Sequence, residues 1–102
     1  MEESFMLRAA TLSLAFVAAP TFAQSYYHAE PEVQPAQARF LVRENIWRCD
    51  SRACQSARTA ARPAIVCQTL VREVGRLRSF SVEGRAFAAE ELESCNMRAR
   101  QN

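Results

Sequence analysis

The chain has no lysine, one histidine, one tryptophan and only two glycines in 102 residues, and no apolar run long enough to span a bilayer. With His28 as the sole imidazole, no Ser-His or Cys-His pair is expected in the folded part, and a histidine-rich metal site is excluded. Arginine carries all the positive charge, and a net charge of +2 is too mild to imply nucleic acid. The two glycines, Gly75 and Gly84, are left to punctuate the chain, one at a helix end and one in a turn.

What is present begins with a targeting pattern. Arg8 precedes an apolar stretch from Ala9 to Ala19, then Pro20 and the small-residue site Thr21-Phe22-Ala23. This reads as a secretory signal peptide over residues 1–23, with periplasmic or secreted location and no transmembrane segment after its removal. Glu2 and Glu3 are atypical of a signal's basic end and point to Met6 as an alternative start. Cleavage after Ala23 leaves about 79 residues, a single domain too small for its core alone to hold comfortably. All four cysteines, Cys49, Cys54, Cys67 and Cys95, follow the signal, and an even number in a small exported domain predicts two disulfides.

The clearest element is a helix from Pro63 to Gly75. Proline suits its first position, glycine its end, and Cys67, Leu70, Val71 and Val74 share one apolar stripe. A second helix, Ala88 to about Met97, places Leu92, Cys95 and Ala99 inward and Glu90, Glu91 and Glu93 near its positive end, with Asn96 as a cap. Arg39 to Cys49 reads as one strand and Cys54 to Ala57 as its short return across Asp50-Ser51-Arg52-Ala53; Thr59 is an imperfectly placed cap for the first helix. Arg76 to Val82 and Arg85 to Phe87 form a hairpin around Glu83-Gly84. Residues 24–38, with Tyr26, Tyr27, His28, Pro31 and Pro35, show no periodicity and read as a poorly ordered leader, and residues 98–102 as a frayed tail.

The expected architecture for residues 39–97 is α+β: an antiparallel sheet of three or four short strands with two packed helices, in the order strand, strand, helix, strand, strand, helix. Four cysteines permit three connectivities. The hairpin favours Cys49 with Cys54, and the two inward helical cysteines favour Cys67 with Cys95. A zinc site is a poor rival because C-x4-C-x12-C-x27-C lacks a close pair and no histidine is near. Thiol redox or metal chemistry at Cys49 and Cys54 is kept as an alternative.

In order, Trp47-x-Cys49-x4-Cys54, Arg62-Pro63-x3-Cys67-x2-Leu70, Val74-Gly75-x-Leu77-x-Ser79-Phe80, Gly84 and Leu92-x2-Cys95-Asn96 form a pattern. It resembles small signal-bearing, four-cysteine periplasmic proteins of unknown function from alphaproteobacteria, of the sphingomonad type. The resemblance implies export and a shared fold, and brings no activity, ligand or catalytic residue. The function expected is non-catalytic, without a cofactor: a stapled structural or binding module for an envelope protein or an anionic glycolipid. Arg76, Arg78 and Arg85 on the second hairpin are the candidate anion-binding residues.

Overall fold

The computed structural model describes residues 25–100. The expected signal segment, the choice of start and the last two residues of the tail lie outside the described residues. Eight elements follow in chain order: β1 (Tyr27–Pro31), β2 (Arg39–Val42), β3 (Asn45–Cys49), β4 (Cys54–Ser56), α1 (Pro63–Val74), β5 (Leu77–Val82), β6 (Arg85–Ala86) and α2 (Ala89–Asn96). The class is α+β, but the sheet has six strands, in the antiparallel order β2-β3-β4-β1-β5-β6, where three or four were expected.

Two departures account for the difference. Part of the expected leader is β1, the strand between β4 and β5: Tyr27 lies opposite Ser56 and Val82, and Ala29 opposite Cys54 and Phe80. Tyr27 and Ala29 are 1% and 0% exposed, so this segment has ample apolar surface to bury after all. A proline argues against a central strand because it cannot donate to the ladder. Pro31 is accommodated at the strand's end, where the register shifts: Glu30 faces Ser79 and Pro31 faces Leu77, leaving Arg78 as the extra residue of a bulge.

The second departure is at Arg39–Cys49, which is two strands joined by Arg43-Glu44. Arg43 takes φ 56°, a conformation more usual for glycine or asparagine, so the turn carries no sequence signal. The reversal changes which side chains share a face. Phe40 and Val42 stand with Trp47 and Asn45, while Leu41 stands with Ile46 on the other side.

One face of the sheet is closed by both helices. Trp47, Tyr27, Phe80 and Phe87 form a chain of rings across it, with centroids 6.4, 5.8 and 4.8 Å apart in succession. Onto them α1 lays Val66, Cys67, Leu70 and Val71, all at most 1% exposed. Each such aliphatic side chain contributes about 1.5–3 kcal/mol on burial. Pro63 opens α1, and Gly75, at φ 90°, closes it with its N–H donated to the Val71 carbonyl at 2.9 Å. The helix's N-cap is Arg62 without a side-chain bond, so Thr59 does not cap it. At the start of α2, Glu91 Oε1 accepts the Ala88 N–H at 2.9 Å.

The disulfides are Cys49–Cys54 and Cys67–Cys95. The first joins residues directly opposite each other on β3 and β4, and the second ties α1 to α2. In the turn between Cys49 and Cys54, Asp50 Oδ1 accepts the N–H groups of Arg52 and Ala53 at 2.7 and 2.8 Å. Those two backbone donors hold the Asp50 carboxyl below its ordinary pKa.

Asn96 has a different role from the cap expected of it. Its amide donates to the Leu77 carbonyl at 3.0 Å and accepts the Leu77 N–H at 2.8 Å, both bonds buried. Along this edge β6 reaches only Ser81 and Val82, so the Asn96 side chain supplies Leu77 with the bonds a longer strand would have made. The expected frayed tail also begins in an ordered way. Arg98 and Ala99 donate to the carbonyls of Cys95 and Asn96 at 3.0 Å, and Ala99 packs against the core.

Candidate functional site

Among the described residues no helix covers the second face of the sheet. Side chains that face each other across an antiparallel ladder point the same way, and residues two apart on a strand do so too. Arg39, Arg48, Gln55, His28, Ser81 and Ala86 therefore form one row across all six strands. Leu41 and Ile46, directly opposite one another, stand one step along β2 and β3 on the same face. Glu30 and Ser79 do so on β1 and β5.

The row is uneven in height and charge. Ser79, Ser81 and Ala86 are short, whereas the β2–β3 end carries long side chains. Arg39 faces Arg48, both exposed, and among the described residues neither makes an ion pair. Beside them Leu41 and Ile46 are 67% and 49% exposed. Like charges directly opposite on a sheet are unfavourable, and exposed aliphatics gain little from folding. This corner does not stabilise the domain.

The three arginines expected to bind anions are not brought together. Arg76 lies between two carboxylates, with Nε 3.7 Å from Glu32 and Nη2 3.4 Å from Glu93. Arg78 is the exposed bulge residue, and Arg85 stands opposite Val82 at the short edge strand. The residues of the open corner escaped sequence reasoning because their grouping depends on the turn at Arg43-Glu44. Once that reversal is placed, the register of Arg39 with Arg48 follows.

His28 also lies where the sequence did not put it. It is in the folded part, half-buried in β1 and directly across from Ser81, with Glu30 two residues along on the same face. A serine and a histidine are thus neighbours after all, although among the described residues no hydrogen bond joins them; Gln55, also opposite His28, accepts instead from Ser25 Oγ at 2.9 Å. A shallow groove of about 240 Å³ lies elsewhere, lined by Pro35, Gln37, Phe40, Glu73 and Val74 among others, between the β1–β2 connection and the end of α1.

All four cysteines are in disulfides, so Cys49 and Cys54 present no thiolate as they stand. Among the described residues no group of three or more His, Cys, Asp or Glu side chains is placed to hold a metal ion. No helix among them is long and apolar enough to cross a membrane. Burial raises the Tyr27 phenol above its ordinary pKa, with Tyr26 acting in the same direction, as suits a core residue kept neutral.

A model of a family of unknown function, DUF8200, matches residues 10–97 of the chain. No curated protein and no solved structure matches it.

Proposed function

The chain belongs to that family of unknown function, and we propose from its surface that it is a non-catalytic, disulfide-stapled binding module of the cell envelope. Its partner is met through the open face of the sheet. The observation that carries this reading is the β2–β3 corner, where an arginine couple without an ion pair among the described residues and an exposed aliphatic couple stand side by side. Neither couple serves the fold, and surface of mixed apolar and cationic character at a sheet's end is what a partner would use.

Two disulfides in so small a domain favour a compartment outside the cytoplasm, and the apolar run from Ala9 to Ala19 supports export as the route. Anion recognition by arginine stays part of the proposal, moved from the second hairpin to Arg39 and Arg48, because Arg76 already has carboxylate partners.

The test is a photo-crosslinking amino acid placed at Gln55 on the open face and, separately, at Arg72 on the exposed side of α1, in cells producing the full chain. Adducts of defined mass from position 55 and none from position 72 are expected. Adducts from 72 alone, or none from either position, would remove the open face from consideration.

A further inference from the structure

We propose that the open face docks on an anionic lipid surface, with Arg39 and Arg48 on phosphate groups and Leu41 and Ile46 among the first carbons of the acyl chains. This rests on the binding-face reading above and names its partner.

Three observations favour a membrane surface over other occupants. The first is relief. The shallow groove described above lies away from this face, at Phe40 and the end of α1. Its centre and far edge are Gln55, His28, Ser81 and Ala86, so the two couples at the β2–β3 corner are what a plane would touch first. A face whose long side chains gather at one corner suits an extended, yielding surface better than a small molecule.

The second is spacing. Leu41 and Arg39 are two residues apart on β2, as are Ile46 and Arg48 on β3, which sets aliphatic and cation about 7 Å from each other along the strands. An arginine can lie along an interface at that range, its stem on apolar groups and its guanidinium on phosphate, while its neighbour enters the boundary region. Guanidinium also matches phosphate bidentately.

The third is charge. A second copy docked corner to corner would bring four arginines together, so self-association through this corner is disfavoured by the same residues that attract phosphate. Among the described residues Arg39 and Arg48 have no carboxylate to release before binding phosphate.

The experiment is co-sedimentation of the disulfide-intact full chain with vesicles of phosphatidylglycerol and phosphatidylcholine, and with vesicles of phosphatidylcholine alone. Comparison is between the parent chain and the variants R39Q/R48Q, L41S/I46S and R72Q, all sharing the same N-terminal apolar run and all checked for native circular dichroism. The parent is expected to bind the anionic vesicles and to lose binding as salt rises. R39Q/R48Q is expected to weaken binding on the order of 30-fold, at roughly fivefold per arginine, and L41S/I46S on the order of tenfold. R72Q, the same charge change on the helical side, should do little.

Equal binding to neutral vesicles, or R39Q/R48Q binding as the parent does, would overturn the proposal. So would competition by soluble polyphosphate with L41S/I46S unaffected, which assigns the arginines to a free polyanion, and so would a dimer in sedimentation equilibrium that L41S/I46S abolishes. If vesicle binding fails while Gln55 still yields protein adducts, the lipid is wrong and the binding face survives; if both fail, neither does.

Discussion

The two faces of the one sheet are built on opposite terms. The closed face holds a ring chain from Trp47 to Phe87 and both ends of a helix-to-helix disulfide, and nearly every side chain on it is removed from water. The open face, made by the alternate residues of the same strands, sets two arginines in opposition and leaves two aliphatics in solvent. Because strand side chains alternate, a single backbone serves both, and substitutions can address one without the other. Changes on the closed side should cost stability and spare binding. Changes on the open side should do the reverse.

The strongest way to break the closed side is the double variant Cys67→Ala/Cys95→Ala. It opens the longer disulfide loop, and on the chain-entropy account stability should fall by about 3.6 kcal/mol, measured by urea unfolding. Next comes Asn96→Ala, which leaves the buried Leu77 N–H and C=O without partners. A loss of about 3 kcal/mol is expected, and Asn96→Asp should not restore it, because a carboxylate cannot donate to the carbonyl. Gly75→Ala has room for its Cβ but must hold it at φ 90°, so thermal unfolding should show a loss of about 1–2 kcal/mol.

The open side sharpens the contrast with an effect of the other sign. Arg48→Glu replaces a repulsive pair with an attractive one, and the fold should gain about 0.5 kcal/mol in urea unfolding even as anionic vesicles are released. The smallest effect is at the Cys49–Cys54 turn. Asp50 has a depressed pKa in the fold, so its contribution is present above its unfolded pKa and is lost as pH falls through the folded one. The protection of the Arg52 and Ala53 amides, relative to their intrinsic exchange rates, should fall on that acid side and should not change with pH when Asp50 is asparagine.

The closed side was also the more legible in the sequence. Proline at the start, glycine at the end and a stripe of four apolar residues make α1 plain, and the inward cysteines of α1 and α2 suggested their own pairing. What sequence reasoning missed were pairings without local signals. β1 alternates Tyr27, Ala29 and Pro31 inward with His28 and Glu30 outward, but it is short, rich in residues poor at forming strands, and closed by a proline. Its partners lie far along the chain, so nothing beside it announces its place. The β2–β3 turn lacks glycine and asparagine-glycine, and without that turn neither the face of Leu41 nor the opposition of Arg39 and Arg48 could be read. Asn96 looked like a cap because its bond to Leu77 exists only once α2 has docked.

The first strand among the described residues, β1, has neighbours on both sides, and neither is next to it in the chain. Until β4 and β5 are in place there is a slot between them and no local hairpin to fill it. The connection from Pro31 to Arg39 leaves β1 on a tether. The same slot therefore accepts β1 from another molecule on equal terms, so refolding at high protein concentration should yield strand-exchanged dimers, with dilution returning the monomer.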